Sequence, residues 1–352
     1  MATVSVDRVE TRPKEEAQES KTMRAMVRTK FGPPELLKLE EIDKPVPNNV
    51  RGVLVKIKAA SVNPADRYDM IGPPLVLRII LPIFGLNMGV LRPKDQIIGS
   101  DSAGVVVAVT DKITQFKPGD EVFGSTKGSY AEYGVAREDR LVLKPANCTF
   151  DEAAALPVAA ITALQGLRDK GEVKTGQKVL VNGAGGGVGH YAVQIAKALG
   201  ADVTAVTNTE NVGMVQRLGA DKVLDYTKED FTKTGERYDL ICDIAASHGF
   251  SDYKRALTPG GTVVLVGSKK TSITSLIYFL LLRRILGRGI KFKFFIAKIN
   301  QQDLSFLKEL VEKGKLVSLI DRRYPLSETG QAIRYLEEGH TRGKNVITVN
   351  QS

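Results

Sequence analysis

A glycine-rich turn between a strand and a helix constrains the fold of this chain more than any other feature. The apolar segment Lys178–Asn182 runs into Gly183-Ala-Gly-Gly-Gly-Val-Gly189, and a helix and a further strand are predicted directly after it. Gly186 has no Cβ where a pyrophosphate would approach, and Gly189 lets the helix pack closely on the strand. We therefore predict a dinucleotide site, with a turn that binds no ligand as the alternative. The turn residues expected at the cofactor are Ala184, Gly186, Gly187, Val188 and Gly189.

The end of the next strand bears on the choice of cofactor. Val206 is followed by Thr207-Asn208-Thr209, and no acid occurs before Glu210. An acidic residue directly after the strand would bind the adenosine ribose hydroxyls and favour NADH. The neutral turn leaves room for a 2′-phosphate, so we predict NADPH and place Thr207 and Asn208 at the cofactor. NADH remains the alternative, because the turn itself contains no Arg or Lys.

The chain changes character near residue 150. Short β-like runs separated by Pro and Gly occupy 25–148, whereas helices and strands alternate after 151, which is typical of a parallel sheet with helices on both faces. The length of 352 residues suits two domains. The predicted strands are 53–57, 104–109, 177–182, 202–206, 223–224, 240–243, 262–266 and 346–349, and the predicted helices are 189–199, 211–218, 303–312 and 327–338.

The two cysteines and the N-terminal residues indicate the compartment. Cys148 and Cys242 are too few for a disulfide framework or a cysteine-rich zinc site, so a reducing compartment, the cytoplasm, is expected. Residues 1–22 contain several acids and lack an apolar core, which predicts a disordered tail rather than a targeting peptide. The apolar runs elsewhere are shorter than a membrane span.

The positive charge is concentrated in one stretch. Residues 253–302 contain no acid and ten Lys or Arg, which equals the net charge of +10. No nucleic-acid recognition motif accompanies these charges, so nucleic-acid binding is not expected. The segment 275–298 joins apolar residues to arginines, which favours either peripheral contact with an anionic membrane or a buried dimer contact. The apolar residues 75–91 form either a lid over the active site or a packing surface.

Several short blocks occur in one order and together carry a family resemblance. The chain from 23 to 349 resembles the medium-chain dehydrogenase/reductase superfamily, in its zinc-free quinone oxidoreductase branch with ζ-crystallin-like and enone-reducing members. Besides the glycine turn, the blocks are Ser61-Val-Asn-Pro-Ala-Asp66, Gly99-Ser-Asp-Ser-Ala-Gly104, Pro118-Gly-Asp-Glu-Val-Phe-Gly124, Leu156-Pro157, Leu218-Gly-Ala-Asp221, and Gly339-His340 with Gly343-Lys344.

The resemblance implies an α/β fold of two domains. These are a GroES-like, β-rich catalytic domain, formed by 23–148 and 301–352, and a doubly wound Rossmann domain for NAD(P)H at 149–300. A homodimer is also implied. Zinc-dependent relatives carry a Cys near the position of Asn63 and a Gly-His-Glu block where this chain has Gly99-Ser-Asp101. With three histidines in total, no catalytic metal is expected.

The resemblance also implies roles for individual residues. It places Asn63 and Thr162 near the nicotinamide, and Tyr68 where its hydroxyl can donate to a substrate carbonyl. Turn formation is the alternative for Asn63, and simple packing is the alternative for Tyr68. At the adenosine end it places Tyr226. Because Asn211 occupies a position that is often basic in the family, Lys344 is the expected substitute there, with a solvated surface charge as the alternative for Lys344.

The implied reaction is hydride transfer from NADPH to a quinone or to the β-carbon of an α,β-unsaturated carbonyl, without a metal. The cofactor carries the chemistry, and the protein orients it and stabilises negative charge on the substrate. The alternative is a catalytically weak NADPH-binding protein with a structural or regulatory role.

Overall fold

The computed structural model describes residues 20–74, 78, 89–266 and 289–349. The tail expected at 1–22 therefore lies almost entirely outside the described residues. The same holds for most of the insertion at 75–91 and for the apolar part of the segment 275–298, so the hypotheses of a lid and of membrane contact rest on residues that the structure does not describe. No described helix combines the length and apolarity needed to cross a membrane.

The N-terminal half forms an antiparallel sheet that closes on itself. Strands β3 to β6 follow one another as neighbours, and β6 also pairs with β3. Closure leaves the hydrogen-bonding groups of these strands paired within the ring. The strands before and within the ring are β1 (Thr22–Val27), β2 (Lys38–Asp43), β3 (Val53–Ser61), β4 (Asp101–Val109), β5 (Glu121–Lys127) and β6 (Tyr133–Leu143).

A second sheet contains six parallel strands in the order β12-β11-β10-β7-β8-β9. The chain starts at the central β7, continues to one edge, and then returns to β10 on the other side. In such sheets a ligand crevice opens at the carboxyl ends of the two strands where the direction reverses, here β7 and β10. The strands are β7 (Lys178–Asn182), β8 (Asp202–Thr207), β9 (Lys222–Asp225), β10 (Tyr238–Asp243), β11 (Leu257–Leu265) and β12 (Lys291–Phe294).

The end of the chain returns to the first sheet. Strand β14 (Lys344–Thr348) pairs antiparallel with β3 and parallel with β13 (Ile320–Pro325). This return places Lys344 beside the end of β3, where Val346 lies opposite Ser61. The residues just before β14 thereby run between the two sheets.

Helices pack on both sheets and connect them. The largest buried cluster contains Phe123 of β5, Val181 of β7 and Ile161 of the helix Pro157–Leu164, so apolar packing joins the two sheets. The described helices are α1 (Pro64–Ile71), α2 (Phe150–Ala155), α3 (Pro157–Leu164), α4 (Gly189–Ala198), α5 (Val212–Arg217), α6 (Phe250–Ala256), α7 (Gln301–Glu312) and α8 (Thr329–Glu338).

Local sequence explains where several helices begin and end. Asn300 precedes α7, and its side chain accepts a hydrogen bond from the Asp303 N–H at 2.8 Å. Helix α8 ends at Gly339, whose left-handed backbone suits a residue without Cβ. Strand β12 was not predicted, because its alternating Lys and Phe lie in the segment 275–298, which we interpreted as a contact surface.

Candidate active site

The glycine turn between β7 and α4 has the close packing that its sequence requires. A Cβ at Gly189 would lie 2.1 Å from the Gly183 carbonyl oxygen, so no larger residue fits there without a shift. At Gly186, by contrast, the nearest atom to such a Cβ is 3.6 Å away. The protein thus leaves the approach to Gly186 open, which is the space that a pyrophosphate requires.

An open cleft of about 770 Å³ extends from this turn along the end of β8. It brings together four residues that the sequence placed at the cofactor, namely Gly186, Thr207, Asn208 and Tyr226. Tyr226 is 62% exposed, and its backbone N–H donates to the Thr207 carbonyl at 3.0 Å. The other wall comes from the segments around β13 and before β14, including Arg322, Thr341 and Arg342.

Two polar atoms of this region lack partners. Within the described part of the chain, Asn208 Oδ1 and Thr341 Oγ1 are buried without a hydrogen bond. Buried polar atoms normally have partners, so unpaired ones beside a cleft suit a polar ligand. The open Gly186 face and these atoms fit a dinucleotide with its pyrophosphate at the turn and its adenosine between Thr207 and Tyr226.

Asn63 is the N-cap residue of α1, but its side chain does not cap the helix. Its Nδ2 donates to Asp101 Oδ2 at 2.8 Å, and its Oδ1 accepts from Lys344 Nζ at 2.5 Å. The Asn63 side chain is almost fully buried. Two different partners, one anionic and one cationic, therefore hold the amide in a single orientation.

Asp101 and Lys344 form a buried ion pair around this amide. Their charged atoms are 3.8 Å apart, with side chains 0% and 3% exposed. Asp101 also accepts hydrogen bonds from Ser61 Oγ at 2.9 Å and from the Val158 N–H at 3.1 Å. Burial raises the pKa of Asp101 and lowers the pKa of Lys344, and in each case the partner opposes the shift.

A second buried carboxyl adjoins the pair. Asp66 Oδ2 accepts from the Asn63 N–H at 2.7 Å and from the Tyr130 hydroxyl at 2.7 Å. Burial raises the pKa of Asp66 to about 7, against the effect of these two donors. A proton on Asp66 leaves Asp101 and Lys344 as a neutral pair. Six residues joined by these contacts form what we call the buried network, namely Ser61, Asn63, Asp66, Asp101, Tyr130 and Lys344.

Lys344 does not lie where the resemblance placed it. The ammonium that was expected at the adenosine phosphate instead donates to Asn63 and to the Val62 carbonyl at 3.0 Å. Its Cδ is 3.4 Å from the position of a Cβ at Gly187, so the side chain passes directly beneath the glycine turn. Lys344 thus connects the turn to Asn63, and the arginines that line the cleft at the end of β8 are Arg322 and Arg342.

Thr162 and Tyr68 lie outside the buried network. Thr162 is half-buried in α3, and its hydroxyl donates to the Val158 carbonyl at 2.6 Å, one helical turn from the Val158 N–H bound by Asp101. Tyr68 is in α1 and 52% exposed, and the Arg67 guanidinium lies 5.8 Å from its ring centre. The Tyr68 side chain is therefore accessible to a substrate.

His190 is fully buried at the start of α4. Its Nδ1 is 3.0 Å from the Gly186 carbonyl, and its Nε2 lies 3.3 Å from the Leu319 N–H. A neutral ring that carries its proton on Nδ1 satisfies both contacts. Burial lowers the pKa of His190 to about 4, so the ring is a neutral support of the turn.

Four residues of the site were not predicted from the sequence, namely Asp66, Asp101, Tyr130 and Arg342. Asp66 and Asp101 are the only charged residues of the Ser61 and Gly99 blocks, and this was the available signal. Tyr130 and Arg342 carry no comparable signal, because their contacts arise only when distant segments meet.

Comparison with known proteins agrees with this architecture. Residues 50–146 match the family model described as "Alcohol dehydrogenase GroES-like domain", and residues 218–347 match "Zinc-binding dehydrogenase". In the described part of the chain, no group of three or more His, Cys, Asp or Glu is arranged to hold a metal ion. The name of the second model therefore has no matching ligand set among these residues.

Individual relatives cover nearly the whole chain. The chloroplast envelope quinone oxidoreductase homolog of Arabidopsis thaliana is 34% identical, over 88% of this chain and 93% of that protein. The chloroplastic NADPH-dependent alkenal/one oxidoreductase of the same plant is 32% identical, over 93% of this chain and 80% of that protein. The quinone oxidoreductase structure from Coxiella burnetii has a TM-score of 0.78 and 31% identity, covering 94% of this chain and 100% of that one. The chain belongs to the medium-chain dehydrogenase/reductase superfamily, in its quinone oxidoreductase branch, whose cofactor is a nicotinamide dinucleotide.

Proposed function

We propose that this protein reduces quinones or α,β-unsaturated carbonyl compounds with NADPH. The observation that carries the proposal is the continuity from the glycine turn through Lys344 to Asn63. One buried side chain contacts both the pyrophosphate turn and the amide that the family places beside the nicotinamide. The names of the relatives, which include quinone and NADPH-dependent alkenal/one oxidoreductases, support the same substrate classes.

The chain's own residues would hold the dinucleotide along its whole length. The turn residues Ala184 to Gly189 would bind the pyrophosphate, Thr207, Asn208 and Tyr226 the adenosine end, and Thr162 and Asn63 the nicotinamide end. When bound, the cofactor supplies a hydride. The protein's contribution is orientation: because Lys344 occupies Asn63 Oδ1 and Asp101 occupies Nδ2, the amide cannot rotate without losing two buried hydrogen bonds.

Tyr68 is the residue that we assign to the substrate. Its hydroxyl would donate a hydrogen bond to the substrate carbonyl oxygen as negative charge develops there, and it or solvent would supply the proton. The Asn63 amide is already committed to its two partners. Tyr68 lies in the middle of α1 and is about half-exposed, so a substrate would reach it without disturbing the buried network.

The test is a turnover assay that follows the absorbance of the reduced nicotinamide. Purified protein is assayed with NADPH and NADH against quinones, 2-alkenals and saturated aldehydes. We expect turnover of quinones or 2-alkenals, a lower KM for NADPH than for NADH, and no turnover of saturated aldehydes. Tight NADPH binding without turnover of any compound would instead support the regulatory alternative.

Two tyrosine variants provide matched controls, since both side chains are more than half exposed. Tyr68→Phe should lower kcat by about tenfold or more with little change in the KM for NADPH, because one donor to the oxyanion is lost. Tyr226→Phe should raise the KM for NADPH and leave kcat nearly unchanged. Equal effects of the two variants would contradict these assignments.

We further propose a homodimer in a reducing compartment, the cytoplasm. Within the described residues, β12 pairs only with β11, which leaves an edge for a second subunit. Ile296, just after β12, is 81% exposed. Light scattering should show a dimer that Ile296→Lys weakens and that Val46→Lys, a change at a similarly exposed residue of the other domain, leaves intact.

A further inference from the structure

The segment between α8 and β14 brings a basic residue to the adenosine end of the cleft. The Gly343 N–H donates to the Gly185 carbonyl at 3.1 Å, which attaches this segment to the glycine turn. One residue earlier, the Arg342 N–H donates to Asp321 Oδ2 at 3.0 Å. These two backbone contacts hold Arg342 in the cleft wall, across from the end of β8.

Arg342 pairs with the first acid after β8. Its guanidinium forms an ion pair with Glu210, in the 3-10 turn Thr209–Asn211 that follows Thr207 and Asn208. Together with Tyr226, these residues line one cleft: Thr207, Asn208, Glu210 and Arg342. The basic residue that the β8 turn lacks is thus supplied by a segment more than a hundred residues away.

The ion pair between Arg342 and Glu210 is exposed to solvent. The two side chains are 48% and 65% exposed, and exposed pairs of this kind contribute little in water. A phosphate is a stronger partner for a guanidinium than a carboxylate at this site, because it carries close to two negative charges and accepts paired hydrogen bonds. Glu210 therefore holds Arg342 weakly, in a position from which it can turn to a phosphate.

The remaining charges of the cleft do not offer the same contact. The Arg322 guanidinium stacks on the Tyr335 ring at 3.8 Å from its centre. Asp321 accepts from the Tyr335 hydroxyl at 3.1 Å as well as from the Arg342 N–H, so it serves to hold this wall. Asn211 occupies the position that is often basic in the family, and it carries no charge.

We propose that Arg342 is the residue that selects NADPH over NADH, by exchanging Glu210 for the 2′-phosphate of the adenosine ribose. The inference rests on the proposed binding of a nicotinamide dinucleotide. It goes beyond that proposal by assigning the choice between NADPH and NADH to Arg342, which exchanges Glu210 for the 2′-phosphate. Glu210 in this arrangement competes with the phosphate for Arg342.

The test measures binding of a fragment rather than activity. Isothermal titration calorimetry compares 2′,5′-ADP with 5′-AMP, which differ only in the 2′-phosphate, on the wild type, Arg342→Gln, Glu210→Gln and the double variant. Arg323→Gln is the matched control, because Arg323 is in β13 next to the cleft residue Arg322 but pairs with Asp151 outside the cleft.

The expected pattern has opposite signs for the two partners. Arg342→Gln should weaken 2′,5′-ADP by about tenfold or more, as for loss of a charged hydrogen bond, and leave 5′-AMP nearly unchanged. Glu210→Gln should strengthen 2′,5′-ADP by several-fold. The double variant should lose that gain, since Glu210 acts only through Arg342. Arg323→Gln should change neither affinity.

Three results would overturn the inference. One is an unchanged affinity for 2′,5′-ADP in Arg342→Gln, and another is an equal loss for both fragments. The third is a gain from Glu210→Gln that persists without Arg342, because Glu210 would then act by simple repulsion. If the wild type still oxidises NADPH with quinones in any of these cases, the proposed function stands and only the role of Arg342 fails. Absence of any dinucleotide binding would refute both.

Discussion

Removing one charge of the buried pair between Asp101 and Lys344 should destabilise the protein far more than removing both. The charged atoms are 3.8 Å apart, and neither side chain is more than 3% exposed. At an effective dielectric constant of about 20, Coulomb's law gives about 4 kcal/mol for their attraction. Lys344→Met or Asp101→Asn alone leaves the other charge buried without its counterion, which typically costs about 3–5 kcal/mol.

The assay is a double-mutant cycle on urea unfolding. Each single variant should lose about 3–5 kcal/mol of unfolding free energy, whereas the double variant should lose less than either single variant, because no unpaired charge remains. Additive losses would show that the two groups do not stabilise one another in the folded state, and would refute the ion-pair interpretation.

The same double variant separates positioning from stability. With both partners of the Asn63 amide changed, the amide loses its fixed orientation while the fold is retained. We expect a lower kcat with little change in the KM for the carbonyl substrate, which a purely structural role of the pair would not produce. Wild-type kcat in a folded double variant would contradict the assigned role of Lys344 and Asp101 as positioning residues.

Four further predictions follow from the geometry. Gly186→Val should leave the fold intact, because a Cβ there meets nothing closer than 3.6 Å, but it should abolish NADPH binding as measured by calorimetry. Gly189→Ala should lower the melting temperature, because its Cβ would lie 2.1 Å from a carbonyl oxygen. Thr207→Asp should reverse the cofactor preference toward NADH by repelling a 2′-phosphate, as a comparison of KM values would show, and an unchanged ranking would contradict it. Because the pKa of Asp66 is about 7 in the folded state, well above its unfolded value, its stabilising effect is present at low pH and is lost as pH rises from about 4 to about 7. The free energy of unfolding of the wild type, measured with urea, should therefore fall over this pH range relative to that of Asp66→Asn. Parallel pH profiles of the two proteins would exclude the pKa shift. Finally, turnover should survive exhaustive chelation, and loss of turnover that zinc restores would show that a metal is required.

Local patterns in the sequence were sufficient to predict the cofactor half of the fold. The glycine turn, the strand before it and the helix after it lie within about twenty consecutive residues, so their arrangement depends on local backbone geometry and apolar periodicity. The predicted strand 177–182 and helix 189–199 correspond to β7 and α4. The limits of the two domains at 149 and 300 stay predictions.

Only the tertiary structure decided which distant side chains meet. Lys344 and Arg342 are two residues apart, and nothing in their sequence context shows that one is buried against Asn63 while the other lies at the adenosine end of the cleft. Their places depend on β14 pairing with β3 and on the preceding segment bonding to the glycine turn. Arg342 precedes β14, which begins at Lys344, so strand periodicity does not relate the two side chains. The surface that each one meets is set by pairing between segments far apart in the chain. The sequence by itself thus determined the family, the cofactor turn and the absence of an acid after β8, whereas the long-range packing decided which basic residue binds Asn63 and which one lines the cleft.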